Sequence, residues 1–499
     1  MKKALILFFV NLSIAAGAQT YFADALLYSR NSLSGTARTA GAGGAFGSVG
    51  ADIGSMGINP AGIGLFRSTD FSITPALKLG YNNAYFVNAN TNTSTSKIYF
   101  GQAGIAWYIP LSKNAKPDAM SFNPNRLKSL TLGINFQRQS YNTRSIDFSA
   151  LNNSISNVSG YTNHLNATQS PVDFYNYDPE LILLKDAGLI YRDTSDGNYY
   201  SRALAPVYQS GNIRSKGAKD EITLSLGGNV TDKFYFGFGL GIPIVTNLQT
   251  TSFTESNRNN ADTSSYFNNY TIESDLRATG YGVNASFGII YRAAAWVRLG
   301  AAYHLPTFFT LNDEFIINSA VLFDTAYITS GVQYTPFKYR FRSPMRGVLS
   351  ASFFIKQHAF ISVDYEFQNY GAMRYNFGKD YVNFANTTNN SIKANYAFGH
   401  TLRAGAEGAI KSFRLRAGYG YSGSPFKKNY GDNTYRETRH DVTFGAGYKG
   451  KRFYADFAYI YTTTKDVNTL MALSDIQSTY NTHRLMLTLG WKMEVRKKK

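Results

Sequence analysis

Apolar and polar residues alternate with a period of two along most of this 499-residue chain, the signature of strands that turn one face toward an apolar surrounding. Runs of strict alternation fall at about 70–80, 96–109, 129–144, 219–230, 233–245, 278–292, 295–304, 345–356, 359–369, 398–409, 412–422, 440–449, 452–462 and 481–493, fourteen in all. In the cleanest run Tyr281, Val283, Ala285, Phe287, Ile289 and Tyr291 share one face against Gly282, Asn284, Ser286 and Gly288. Phe413, Leu415, Ala417, Tyr419 and Tyr421 likewise oppose Arg414, Arg416, Gly418 and Gly420. In the last run Leu485, Leu487, Leu489 and Trp491 oppose Arg484, Thr488 and Lys492. Segments of roughly ten residues are what a tilted strand needs to cross a bilayer, and no stretch approaches the roughly 18 to 20 apolar residues of a spanning helix.

The connections add an independent constraint. Very short turns at Thr231 to Lys233, Arg292 to Ala294, Gln357-His358, Ile410-Lys411 and Gly450-Lys451 alternate with long polar segments at about 145–218, 246–277, 305–344 and 370–397. Short periplasmic turns and long outer loops predict an all-β fold, a 14-stranded antiparallel transmembrane β-barrel with both chain ends on the periplasmic side. One connection, Pro110 to Lys128, is longer than that scheme predicts. A soluble sandwich or propeller would also alternate, but an export signal joined to strands of spanning length favours the membrane barrel.

That signal is the chain's first segment. Lys2 and Lys3 precede the apolar run Ala4 to Val10, and Ala16-Gly17-Ala18 closes it, so 1–18 reads as a signal peptide cut before Gln19. Residues 19–68 then form an N-terminal plug and 69–499 the barrel. The basic end Arg496 to Lys499 departs from the aromatic finish common in such barrels. No Cys is present, which leaves neither a lipoprotein anchor nor a disulfide framework.

Composition fits a barrel with aromatic belts: 37 Tyr, 36 Phe and 44 Gly against 16% charged residues. The mean hydropathy of -0.25 is slightly polar because only every second strand residue meets lipid. The formal charge of +18 is scattered and lacks the stripe that tracks a phosphate backbone, which argues against a nucleic-acid partner. Anionic outer-membrane lipid and lipopolysaccharide are the expected surroundings, and a monomer is expected. Catalysis is not expected. The His residues are dispersed, His440-Asp441 points its two side chains to opposite faces, and neither G-x-S-x-G nor H-E-x-x-H occurs. No cofactor or metal is implied.

Gly35 to Gly62 reads GTARTAGAGGAFGSVGADIGSMGINPAG. A phosphate cradle is a poor account, since the G-x-G-x-x-G spacing fails at Phe46 and no strand-helix unit surrounds it. Glycines here suit tight turns and close backbone approach in a crowded lumen. With its small residues around Ala40-Gly41, Asp52, and then Asn59-Pro60-Ala61-Gly62, the segment resembles the hatch of the FadL/TodX family of outer-membrane long-chain fatty-acid and hydrocarbon transporters. Leu402-Arg403-Ala404-Gly405, Phe413 to Tyr419 and Ser424-Pro425 resemble that family's paired late strands and the loop after them. The wording is most similar to the Bacteroidetes branch. The resemblance implies passive uptake of a hydrophobic solute: capture by outer loops, transfer to a lumen pocket, hatch movement, and lateral release beside a kinked third strand. It makes Asn59, Pro60, Ala61, Gly62, Gly41, Gly43 and Gly44 the gate.

For a carboxylate head group, inward Arg is the natural partner because of its bidentate fork. Alternation turns Arg403, Arg414, Arg416 and Arg298 inward, with Lys78 behind them, and the Arg403 and Arg416 pair is the first candidate. Inward Glu407, Asp364, Glu366 and Asp456 offer the alternative of a lumen ion-pair ladder. Asp178-Pro179 opens a short helix whose Leu181, Ile182 and Leu184 are candidates for an outer capture surface, or else pack that loop onto the rim. A second function class stays open: a non-transporting barrel serving as an accessory or scaffold in protein secretion or surface attachment. A lumen packed solid would favour it; a continuous pocket with a side opening would favour transport.

Overall fold

The computed structural model describes residues 13–111, 127–168, 179–257, 267–428, 437–469 and 475–493. The start of the leader, most of the Pro110 to Lys128 connection, Asp178 and the basic end at Arg496 to Lys499 lie outside the described residues.

The alternating runs form one closed antiparallel barrel of 14 strands. In chain order these are β1 Thr69–Phe86, β2 Ala89–Pro110, β3 Leu127–Tyr141, β4 Val207–Val230, β5 Phe234–Asn257, β6 Phe267–Ala294 and β7 Val297–His304. They continue with β8 Arg346–Ile355, β9 Ala359–Asn369, β10 Phe398–Ile410, β11 Phe413–Ser422, β12 Arg439–Lys449, β13 Phe453–Thr469 and β14 Asp475–Met493. Closure comes from β1, which pairs with β2 on one side and with β14 on the other, from Thr69↔Met493 to Tyr85↔Gln477. Pairing the first strand with the last removes the two free edges that a sheet crossing lipid cannot leave open.

Each predicted run lies on a strand, but several strands extend well past the predicted ends. β5 continues from 246 to Asn257, β4 begins at Val207, and Arg144–Asn152 continues β3 along β4. The segment 305–344, expected as a loop, holds strands Phe308–Phe323, Tyr327–Gln333 and Phe337–Arg342. Among the described residues 153–206 and 370–397 are mainly loop and helix, with Asn157–Thr168, Pro179–Asp186 and Val382–Asn395 helical. These extensions stand above the bilayer, so their outer face has no lipid to meet. Thr-rich stretches such as TNLQTTSFTESN at 246–257 keep strand propensity without apolar alternation.

Within the bilayer the alternation reports faces as expected. Phe413 and Leu415 are 63% and 60% exposed, and Tyr281, Val283, Phe287, Ile289, Leu487, Leu489 and Trp491 join them on the outer surface. Toward the outer end a row of Tyr hydroxyls meets His Nδ1 on adjacent strands: Tyr365–His400 at 2.7 Å, Tyr419–His440 at 2.8 Å and Tyr459–His483 at 2.7 Å. This aromatic belt on an apolar exterior marks a transmembrane barrel of the outer-membrane type. His440 thus faces outward while Asp441 faces inward to Arg439 at 2.9 Å, as strand geometry requires.

Candidate functional site

The bore is occupied by the N-terminal segment. A helix, α1 Ser13–Ser29, is followed by α2 Ala37–Gly41 and by 3-10 turns at Ile53–Gly57 and Pro60–Leu65. Phe22, Ala25, Leu26 and Tyr28 of α1 are buried with Phe309, Tyr339, Phe341, Tyr375, Phe384 and Tyr396. The sequence dictates the turns. Thr36 caps α2 by accepting from Thr39 N, and Asp52 caps the next turn by accepting from Gly54 N. Thr36 and Thr39 both donate to Asp52 Oδ1, at 2.7 and 3.0 Å, so one carboxylate ties two turns together. Side-chain caps of this kind satisfy donors that a turn leaves orphaned.

Asn59 sits where the segment meets the wall. Its Oδ1 accepts from Ala61 N at 3.0 Å, while its Nδ2 donates to Gly47 O at 2.7 Å and reaches Ile289 O of β6 at 3.2 Å. Pro60 opens the 3-10 turn, and Ala61 and Gly62 are buried in it. Wall glycines make the fit: a Cβ on Gly288 would lie 1.9 Å from Asn59 Oδ1, and one on Gly237 would lie 2.2 Å from Pro60 C. On the opposite wall Gly41 O accepts from Thr443 Oγ1 at 2.9 Å and Gly43 N donates to it at 3.0 Å. Gly43 and Gly44 have φ of +66° and +73°, conformations glycine adopts without a Cβ penalty.

The four expected head-group arginines separate. Arg416 is locked: its Nε lies 2.6 Å from Glu407 Oε2 and its Nη1 lies 2.6 Å from Asp456 Oδ1. Arg38 of α2, which the sequence reading did not single out, joins the same Glu407 oxygen at 3.2 Å and Asp52 at 3.8 Å. Burial opposes the Arg38 charge, and the Glu407 and Asp52 carboxylates outweigh it, holding its pKa above the ordinary guanidinium value. Arg403 is paired with Glu366 at 3.0 Å, and Arg346 shares that acid at 3.4 Å. Arg298 donates to Val49 O at 2.8 Å and lies over the Phe354 ring. Arg414 donates to the Lys411 and Phe413 carbonyls at the periplasmic turn. Of the alternatives open in the sequence, the ion-pair ladder describes Arg403 and Arg416, because Glu366 pairs with the first and Glu407 and Asp456 with the second. Asp364 instead accepts from Gly47 N at 2.8 Å.

The outer helix follows the second of the two readings open for it, packing onto the rim. Leu181 and Leu184 of Pro179–Asp186 are fully buried, Ile182 is half-buried, and Leu181 and Leu184 pack with Phe148, Leu165, Phe253, Phe267 and Tyr270. They are the core of a lid over the barrel mouth, held on its polar side by Glu255, which accepts from Ser156 Oγ and Asn157 N. A free apolar helix face would have carried a hydration penalty, so the leucines found the rim. Leu184→Ala is expected to cost the lid about 2–5 kcal/mol, read as faster cleavage of the outer region by protease added to intact proteoliposomes. Unchanged cleavage would show that the lid does not depend on this packing.

Between lid and N-terminal segment lies a cavity of about 1090 Å³. Its lining includes Phe22, Leu26, Leu27, Tyr396 and Phe426 on apolar surface and Lys78, Arg439 and Arg484 on polar surface. It also reaches the wall at Tyr99, Gly101, Arg138 and Tyr141. There the ladder is interrupted. β2 pairs with β3 only from Gln102↔Gln137 to Pro110↔Ser129, and β3 shifts register against β4 at Arg138/Ser140. Higher up, Thr91 Oγ1 and Thr93 Oγ1 bond the backbone of Asp147. The intervening gap is crossed by rings: Tyr99 stacks on Tyr141 at 4.8 Å, with the Arg138 guanidinium over both. This seam was not placed by the sequence, since its residues are ordinary strand residues.

No family model and no curated protein matches the sequence. Among solved structures, a Pseudomonas aeruginosa FadL homologue aligns at 12% identity and TM-score 0.54, covering 93% of this chain and 100% of that one. The P. putida toluene transporter TodX aligns at 12% identity and TM-score 0.52, with 93% and 100% covered. At this identity the likeness is one of architecture: the chain has the fold of the FadL homologue and of TodX.

Proposed function

We propose that the protein is an outer-membrane channel for passive uptake of hydrophobic compounds, with long-chain fatty acids as substrate class. The observation that carries this reading is the continuity of the lumen cavity with the interrupted β2–β3 ladder. A solute entering past the lid would meet apolar surface on α1, and each methylene it buries recovers about 0.8 kcal/mol. Residues 19–68 act as the hatch, with Asn59 to Gly62 and Gly41, Gly43 and Gly44 as its contacts with the wall, and the β2–β3 seam is the lateral exit. The cavity favours transport over a scaffold, for which a lumen packed solid is expected.

The test is Asn59→Ala combined with Pro60→Ala. Asn59 satisfies Ala61 N and Gly47 O in a buried place, and leaving such groups unpaired costs about 1–3 kcal/mol each. Uptake of a labelled fatty acid into proteoliposomes is expected to fall several-fold, while the heat-modifiable band of the folded barrel persists. Uptake equal to the wild type, with the barrel intact, would remove the hatch from the mechanism.

A further inference from the structure

Half of the chain's six His residues stand in one repeated unit on the outer surface of the barrel. His400 on β10 lies opposite Phe367 of β9, His440 on β12 opposite Tyr421 of β11, and His483 on β14 opposite Tyr461 of β13. In each unit a second Tyr, two residues deeper on the partner strand, brings its hydroxyl to the imidazole Nδ1. These are Tyr365, Tyr419 and Tyr459, at 2.7, 2.8 and 2.7 Å. A Tyr-x-Phe or Tyr-x-Tyr facing a His therefore recurs on three successive strand pairs in one register. Interfacial aromatics are ordinarily Tyr and Trp, so an aromatic belt alone does not account for the imidazoles.

Neighbouring positions set the level of the row. Deeper in the membrane, the outward residues are Leu402 on β10, Phe444 on β12 and Leu487 on β14, all exposed. One step beyond the row, alternation gives Thr438 before β12 and Asn481 on β14. The imidazoles thus stand where acyl chains give way to head groups. A Tyr hydroxyl just beneath that level has little water and needs an acceptor, which Nδ1 supplies. A neutral imidazole that accepts at Nδ1 carries its proton on Nε2. Among the described residues no protein group takes that Nε2–H in any of the three rings, so each offers a donor to the surrounding leaflet.

Charge indicates what accepts it. The segments 391–400 and 421–428, which lead into β10 and out of β11, contain Lys393, Lys427 and Lys428 and no Asp or Glu. All three lysines are exposed. Lys427 Nζ donates to Lys393 O at 2.8 Å, and Gly423 N donates to His400 O at 2.9 Å, so the basic loops are tied to each other and to the first unit. Neutral donors beneath a cationic rim suit an anion that a lipid carries at head-group depth.

We propose that His400, His440 and His483 form a docking row for the phosphate groups of outer-leaflet glycolipid, with Lys393, Lys427 and Lys428 balancing their charge. The row covers the wall from β9 to β14 and fixes lipid there. It requires only the membrane-spanning barrel and is independent of any solute in the bore.

Native mass spectrometry of the purified full-length barrel in neutral detergent tests the row. Lipid A is compared with the same lipid after phosphatase treatment and with inorganic phosphate. Hydrogen bonds to a charged group are strong enough that the wild type is expected to prefer the phosphorylated lipid by about tenfold or more. His400→Phe, His440→Phe and His483→Phe together keep the rings and remove the donors. They should erase most of that preference while the heat-modifiable band persists, and Lys393→Gln with Lys427→Gln and Lys428→Gln should weaken it in part. Nitrogen NMR of the histidine-labelled wild type needs no variant to fold: lipid A should shift the Nε2 signals of these three His and leave those of His164, His304 and His358 in place. Equal binding of the two lipids by the wild type, a triple His variant that keeps the preference, or unmoved Nε2 signals would overturn the row. Inorganic phosphate that displaces lipid A at equal concentration would overturn the lipid assignment.

Discussion

Gly405→Ala with Gly418→Ala is expected to turn a stoppered barrel into a conducting pore. The two glycines face each other across the β10–β11 ladder, and the N-terminal segment crosses directly above them. A Cβ on Gly405 would lie 2.1 Å from Ala42 O, and one on Gly418 would lie 2.3 Å from Gly43 N. Both obstacles are backbone, which cannot rotate away as a side-chain tip can. Nor can the segment yield locally, because a Cβ on Gly43 itself would meet Ala404 O at 2.7 Å, so the two backbones are already in close contact. Overpacking costs about 1–3 kcal/mol per site, and two adjacent sites push on one turn. The ladder between β10 and β11 has no reason to fail, since Ala is acceptable in a strand. In planar bilayers the double variant should show large steady conductance where the wild type shows little. Gly420→Ala is the control: its Cβ would meet only Asp441 and Arg403 side-chain atoms at ordinary contact distance, the nearest at 3.5 Å. Equal conductance in the double variant and the control would mean that the wall glycines do not seat the segment.

Those wall glycines also mark where sequence reading succeeded and where it stopped. Alternation located every spanning strand because lipid on one side and a polar lumen on the other impose a period of two, as at Tyr281 to Tyr291. Where that boundary condition ends, as at 246–257, the period vanishes although the strand continues. The tight turns were legible for a similar reason, since Asn59-Pro60 and the Gly41 to Gly44 cluster have few uses outside them. What stayed hidden was pairing. Arg416 and Arg403 could be placed on the inner face, but which acid stood beside each depends on register. The Lys78 and Arg484 pair, opposed across β1 and β14, is the extreme case, because it joins residues 78 and 484 through the closure of the barrel, which no local pattern records. Leu181 and Leu184 stayed open between two readings for another reason: a short apolar helix in a loop reads alike whether a neighbouring strand covers it or not.

Arg416→Met separates the two roles an inward arginine could have. In the structure Arg416 neutralises Glu407 and Asp456 at once, and Glu407 in turn holds Arg38 of the N-terminal segment. Removing one member of a buried ion pair leaves an uncompensated charge and costs about 3–5 kcal/mol. Here the cost falls on the joint between segment and wall, because Glu407 is shared between them. The expected result is a segment released at lower temperature than the barrel melts, read as early protease cleavage near α2 with the barrel band still intact. Adding Asp456→Asn to Arg416→Met should recover part of the loss, since only Glu407 then remains to be balanced and Arg38 already faces it. If Arg416 were instead a head-group ligand, the single variant would weaken binding of a long-chain acid and leave cleavage at α2 unchanged, and the partial rescue by Asp456→Asn would not appear.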